Sequence, residues 1–225
     1  MYNDFIFEQA ILQTKNDMLA VGKRLADKGL LIGKGGNYSV RIDENHILLT
    51  ASGFDKSEID TDQISLIDKD GNLLRGLKPA LDIRMHLEVY RSMPEIKAIV
   101  HSHPKIITGF AMSNYNFDDF CMPEAMLDIG GIEVTDFSVP TTEQVPAVVR
   151  KSIVKNPDVR ALILKGHGAL CFSSVDILDA CYKLECLEAV GTAILVTNML
   201  GGAYKMTSEE VAGVQEILNA SKKNV

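Results

Sequence analysis

The sequence predicts an α/β protein in which helices cover a mixed, largely antiparallel sheet. Three observations lead there. Short apolar runs bounded by turn residues are interspersed with longer runs of helical periodicity along the whole chain. The strand-like runs come in adjacent pairs as often as they alternate with helices, which departs from the strict βαβ order of a parallel sheet. The composition, 46% hydrophobic and 24% charged over 225 residues, is that of a globular chain with a substantial core. Residues 1–225 read as one domain, because no repeat, low-complexity tract or linker divides them.

The elements follow in order. Residues 8–28 form an amphipathic helix on Ile11, Leu12, Met18, Leu19, Val21 and Leu25, with Gly29 as its stop. Strands at 38–42 and 47–51 flank the Asp43-Glu44-Asn45 turn, and a second hairpin joins 64–67 to 72–74 around Lys69-Asp70-Gly71. Pro79 opens a helix over 81–91, a favoured use of proline near a helix start. A strand at 97–102 is followed by a helix after Pro104. Then come a strand at 132–137, a helix at 143–155, and strands at 160–164 and 169–172. The helix at 175–199 is apolar on more than one side, including Leu178, Ala180, Leu184, Leu187, Val190, Ile194 and Leu195, which predicts burial in the core ahead of burial at an interface. A last helix runs from 208 to 220, its Ser208-Glu209-Glu210 start suited to the positive end of the helix dipole.

Composition narrows the function classes. The net charge is −7 and there is no Trp, so neither a phosphate-neutralising surface nor a base-stacking one is expected, and nucleic acid is not a predicted partner. No run of about 18 apolar residues predicts a membrane span, and the N-terminus lacks the basic-then-apolar order of a secretory signal. Cys121, Cys171, Cys181 and Cys186 show no CxxC spacing and read as reduced, buried thiols of a cytoplasmic protein.

The chemistry concentrates in few residues. His101 and His103 flank Ser102 directly after the apolar run Ala98-Ile99-Val100. Residues i and i+2 of a strand share a face, so the two imidazoles can converge on one cation, with a hydrogen-bonded pair of ordinary histidines as the competing reading. Another apolar run, Ala161 to Leu164, ends in Lys165-Gly166-His167-Gly168, where the glycines allow a tight turn that aims His167 inward. Three imidazoles with an open position describe a catalytic Zn²⁺ site. His46, in a charged hairpin, reads as a surface residue. Asp82 reads either as a helix N-cap or as a functional carboxylate. His86, at i+4, shares its helix face and is either a packed core histidine or a support for the site. Gly33-Lys34-Gly35-Gly36-Asn37 and Thr50-Ala51-Ser52-Gly53 are small-residue loops, each either an ordinary turn or a nest of N–H and hydroxyl groups for a phosphate or carboxylate.

Taken in order over residues 8–200, these pieces resemble the class II aldolase/adducin family, which includes L-fuculose-1-phosphate aldolase and L-ribulose-5-phosphate 4-epimerase. The resemblance runs through Gly35-Gly36-Asn37-Tyr38-Ser39-Val40-Arg41, Thr50-Ala51-Ser52-Gly53, Lys78-Pro79 to Asp82 and His86, Val100-His101-Ser102-His103, and Lys165-Gly166-His167-Gly168. It implies an α/β sandwich and a C4 homotetramer with active sites between subunits. It implies a divalent metal, Zn²⁺ or alternatively Mn²⁺ or Co²⁺, held by His101, His103 and His167, with Asp82 as acid/base that also reaches the metal. The implied substrate loops contain Gly36, Asn37, Thr50, Ser52 and Gly53. The reaction implied is retro-aldol cleavage of a phosphorylated ketose through a metal-stabilised enediolate, giving a dihydroxyacetone phosphate-type product and an aldehyde. The alternatives on the same site are a sugar-phosphate 4-epimerase and a keto-acid decarboxylase, and the adducins show the fold as a binding module. Two departures stand out. Ala80-Leu81 replace the family's phosphate-holding Ser-Ser pair. Met122 falls near the position of the aldolases' catalytic tyrosine, with Tyr115 several residues away.

Overall fold

The computed structural model describes residues 2–115, 122–202 and 204–223. Cys121 lies outside them. In chain order the elements are α1 (Tyr2–Asp27), β1 (Asn37–Arg41), β2 (His46–Thr50), β3 (Ile64–Asp68), β4 (Leu73–Arg75), α2 (Ile83–Ser92), β5 (Ala98–Ser102), α3 (Lys105–Met112), β6 (Gly131–Val134), α4 (Gln144–Lys155), β7 (Val159–Leu164), β8 (Gly168–Ser173), α5 (Ile177–Met199) and α6 (Ser208–Lys223). The eight strands form one sheet in the order β4-β3-β2-β1-β5-β8-β7-β6. Every pairing is antiparallel except β6 with β7. The mixed, mainly antiparallel sheet covered by helices is the expected one.

Both faces of the sheet are buried except at the exposed edge strand β4, and the period of two in the strands decides which helices each residue meets. On one face Tyr38, Leu48, Ala98, Val100, Ile163 and Cys171 pack with Met18, Val21 and Leu25 of α1, Ile107 of α3 and Leu184 and Leu187 of α5. On the other, Ile47, Leu49, Ile99, Leu162, Leu170 and Phe172 pack with Met85 and Val89 of α2 and Val149 and Ile153 of α4. The central strands are therefore continuous apolar runs, because water reaches neither side.

Several expectations need correction. Helix α1 begins at Tyr2, before the periodic apolar residues start, since an established helix extends at little cost. Pro79 does not open α2. It bridges Ala51, and Ser52 N–H and Ala80 N–H donate to the carbonyls of Lys78 and Thr50 at 3.0 and 3.1 Å, so residues 78–80 run as an extended strip beside the end of β2. The helix begins only at Ile83. Of the apolar residues named on α5, Leu178 and Leu195 are about two-fifths exposed, because they sit beside the stripe of Ile177, Ala180, Leu184, Leu187, Val190 and Ile194 that faces the sheet. Cys171 and Cys181 are buried free thiols, whereas Cys186 is only half-buried. Two short turns had no clear periodicity: a 3₁₀ turn at Thr61–Gln63 capped by Asp60, and a π turn at Ala125–Ile129. No helix among the described residues is long and apolar enough to cross a membrane.

Candidate metal centre

The centre is built at one end of the middle of the sheet. The end of β5 delivers His101 and, just past the strand, His103. The three-residue turn Lys165-Gly166-His167 between β7 and β8 delivers His167, with Gly166 at φ +70° and His167 N–H donating to the Leu164 carbonyl at 2.9 Å. The register pairs Ser102 with Ala169, so the turn lands beside the end of β5. The three imidazole centroids lie 4.7, 4.8 and 5.0 Å apart. One ring nitrogen from each can be chosen so that all lie within 4.8 Å of one another.

Packing holds these rings. A Cβ on Gly168 would stand 2.5 Å from the Ser102 carbonyl oxygen and 2.6 Å from His103 Cδ2, and one on Gly35 would stand 2.9 Å from His103 Nδ1. The His103 ring thus lies in a slot bounded by two residues that carry no side chain. Helix α3 starts two residues after His103, and the Glu188 carboxylate of α5 accepts the N–H groups of Ile106 and Ile107 at 2.9 Å each, fixing that start. Ser102 Oγ donates to the Leu30 carbonyl.

The donor chemistry fits a divalent cation. His101 Nδ1–H donates to the Ala169 carbonyl at 2.8 Å, which sets the tautomer and leaves a lone pair on Nε2. His101 is fully buried, and among the described residues its Nε2 and Thr108 Oγ1 are the buried side-chain polar atoms without a hydrogen-bond partner. Leaving such an atom unpaired costs about 1–3 kcal/mol, a cost a ligand on Nε2 would remove. Burial pushes His101 well below the usual imidazole range, and burial, joined by the neighbouring His167, lowers His103 as well. Burial likewise lowers His167, partly offset by Asp82. Neutral imidazoles are the form that ligates metal.

Asp82 stands over this cluster, with Oδ2 4.0 Å from His101 Nε2. It occupies the N-cap position of α2 without making a side-chain cap bond, since its φ and ψ of −83° and 15° are not those of a capping residue. Its carboxylate instead accepts from Asn37 Nδ2 at 3.3 Å. Asn37, at the start of β1, lies directly opposite His101 in the β1–β5 register. Its carbonyl oxygen is 2.6 Å from His86 Nε2. His86 is therefore the packed, hydrogen-bonded histidine, buried beneath Asp82.

The other expected residues are distributed more widely. Gly36, at φ +80°, packs against the His101 carbonyl, where a Cβ would come within 2.9 Å. Thr50 is fully buried and its hydroxyl oxygen accepts Tyr38 N–H at 3.3 Å, so it serves the strand pair. Ser52 is half-buried and Gly53, at φ +86°, is exposed with open space beside its Cα. Sequence reasoning missed Lys56, which sits in a polar stretch between Asp55 and Ser57. It is 3% exposed, and its Nζ donates to the Phe54 carbonyl at 2.6 Å and the Lys34 carbonyl at 3.3 Å, tying the two small-residue loops together. Ala80 is buried and Leu81 is 54% exposed, and neither carries a hydroxyl. Tyr115 stacks edge-on against Phe110 at 5.0 Å, and Met122 packs on the core face that carries α1, α3 and α5. His46 is bonded to Asp43 at 2.9 Å in the β1–β2 hairpin, far along the strands from the cluster.

Known proteins resemble this chain in sequence and in fold. Residues 16–194 match the family model described as Class II Aldolase and Adducin N-terminal domain. The chain is 29% identical over 209 residues to a 3-oxo-tetronate 4-phosphate decarboxylase of Haemophilus influenzae, covering 91% of this chain and 97% of that protein. It is 32% identical over 180 residues to an L-fuculose phosphate aldolase of Methanococcus maripaludis, covering 78% and 93%. The crystal structure of Escherichia coli YgbL superposes with a TM-score of 0.83 at 22% identity, covering 91% of this chain and 98% of that one, a likeness of fold.

Proposed function

The chain belongs to the class II aldolase and adducin family, and from that premise we propose that it is a divalent-metal aldehyde-lyase. Its reaction, on this reading, is the retro-aldol cleavage of a phosphorylated ketose into a dihydroxyacetone phosphate-type product and an aldehyde. The observation that carries the reading is the unpartnered, buried Nε2 of His101 within a cluster of three neutral imidazoles, with one carboxylate 4.0 Å away.

His101, His103 and His167 would hold the cation. Lewis acidity is what a divalent ion supplies at such a site, lowering the energy of the negative charge that develops on the ketose oxygens. The remaining steps fall to protein and substrate. The carbinol hydroxyl loses its proton, the adjacent C–C bond breaks, and the electron pair passes to the enediolate. A proton returned to carbon completes the product. We assign both transfers to Asp82, whose carboxylate, 4.0 Å from His101 Nε2, would take the hydroxyl proton and return it to the enediolate carbon. With Ala80 and Leu81 unable to donate, phosphate contacts would rest on Ser52, the amides of Gly53 and Gly36, and the positive charge of Lys56 behind both loops. The finer expectations belong to this reading: Zn²⁺ as the ion with Mn²⁺ or Co²⁺ as alternatives, a homotetramer with sites between subunits, and a cytoplasmic location.

A second reading, decarboxylation of a phosphorylated keto acid, is favoured by the Haemophilus influenzae relative, which matches nearly its whole length. It uses the same site to stabilise an enolate. NMR product analysis of metal-loaded protein with phosphorylated and free ketoses and keto acids separates the two, by aldehyde or by CO₂ release. Alanine at His101 or His167 should abolish both bound metal and turnover; if both persist, the proposal fails.

A further inference from the structure

We propose that His86 is a positioning residue, which acts through Asn37 to hold the Asp82 carboxylate at the imidazole cluster. The inference rests on the role given to Asp82 above and adds how that side chain is kept in place.

The hydrogen bonds leave one consistent direction. An ionised carboxylate only accepts, so Asn37 must turn its NH₂ to Asp82 Oδ2, at 3.3 Å. Its carbonyl oxygen then faces His86 Nε2 at 2.6 Å, and that nitrogen must carry the imidazole proton. His86 Nδ1 is left bare and accepts the Ser39 hydroxyl at 2.7 Å, while Ser39 Oγ accepts the Tyr90 hydroxyl at 2.8 Å. Four bonds thus run from Tyr90 to Asp82 with every donor matched to an acceptor. Asn37, Ser39, His86 and Tyr90 are all buried, at 3%, 0%, 1% and 6% exposure. No solvent competes for these positions, so removing one member leaves its neighbours unsatisfied.

The chain also solves a placement problem. Asp82 comes at the start of α2 after the extended strip 78–80, and its side chain makes no cap bond to that helix. His86 lies one turn further along α2, and Asn37 lies on β1 opposite His101. The contacts therefore reference the carboxylate to the same sheet position that carries the first imidazole. His86 and His101 consequently hold opposite tautomers: Nε2–H on His86, and Nδ1–H on His101 toward the Ala169 carbonyl. Burial pushes His86 down to about 3, which keeps it neutral across the working range and the direction intact.

The test uses two substitutions that divide the imidazole. A Gln amide reaches the place of Nε2, so His86→Gln keeps a donor for Asn37; an Asn amide reaches only the place of Nδ1, so His86→Asn keeps the Ser39 contact and loses Asn37. In metal-loaded enzyme, His86→Asn is expected to lower kcat about 10- to 100-fold with KM changed less than about threefold, and His86→Gln to recover most of the loss. Crystals of the two variants should show Asp82 still bonded to Asn37 in His86→Gln and turned away in His86→Asn. Equal behaviour of the two variants, or a loss confined to KM, overturns the inference. Long-range ¹H–¹⁵N spectra of unsubstituted, metal-free protein should show the Nε2–H tautomer at His86, and the Nδ1–H tautomer overturns it even if a variant fails to fold. If the unsubstituted enzyme turns over no ketose or keto acid, the functional proposal fails, while the tautomer and the Asp82 position still decide this one.

Discussion

Replacing Gly168 by alanine tests whether packing alone holds the imidazole cluster. The residue opens β8 and has no positive φ, so the new methyl group brings no backbone strain and only its contacts matter. Those contacts stand at 2.5 Å to the Ser102 carbonyl oxygen and 2.6 Å to His103 Cδ2. Carbon needs about 3.3–3.6 Å to a carbonyl oxygen and about 3.5–4.0 Å to another carbon, so roughly 1 Å must be found on both sides. The carbonyl belongs to the β5–β8 ladder and cannot move freely. Two responses remain. Either the end of β8 separates from β5, at an overpacking cost of about 1–3 kcal/mol, or the His103 ring swings out of its slot. Both take a nitrogen away from the set. The expected result is a fall of about 10- to 100-fold in Zn²⁺ affinity by chelator competition. A drop of about 2–12 °C in metal-free Tm accompanies it if the strand moves. Gly35→Ala, which meets His103 Nδ1 at 2.9 Å from the other side, should act in the same direction and less strongly. Unchanged Zn²⁺ affinity and Tm in Gly168→Ala would show that the slot does not position His103.

Three further outcomes are expected. Burial takes His86 from 6.5 down to about 3 in the folded protein and lowers His101, His103 and His167 as well, so the unfolded chain binds the extra protons; the contribution of these four groups is complete above about pH 6.5 and is lost as pH falls, by up to about 1.4 kcal/mol per pH unit for His86, and urea midpoints of metal-free protein that stay flat from pH 7 to 5 would refute this. Asp82→Asn keeps the size of the side chain and removes its charge, so kcat should fall about 100-fold or more while Tm and bound metal stay near those of the unsubstituted protein, checked by kinetics, calorimetry and metal analysis. Glu88 on α2 is 1% exposed and accepts from Arg150 at 2.6 and 2.9 Å and from Ser92 at 2.9 Å, so Glu88→Ala should lower unfolding free energy by about 1.5–3 kcal/mol in urea titration, with no change in metal affinity.

The sequence by itself determined the element order, the burial of the strands and the convergence of the imidazoles. These depend on local rules. A period of two places His101 and His103 on one side of a strand end, and glycine at 166 permits the left-handed turn that brings in His167. What only the tertiary structure decided is which groups meet across large sequence separations. Asn37 finds His86 49 positions away, and His101 Nδ1 finds a carbonyl 68 positions away, because strand register sets those pairs and no local pattern encodes register between β1, β5 and β8. The same holds for Pro79, which the chain's local preferences assign to a helix start and which cross-strand pairing with Ala51 claims for an extended strip. Asp82 illustrates the division: its place before a helix is a local property, but whether its carboxylate caps that helix or faces the histidines depends on the partner that β1 brings to it.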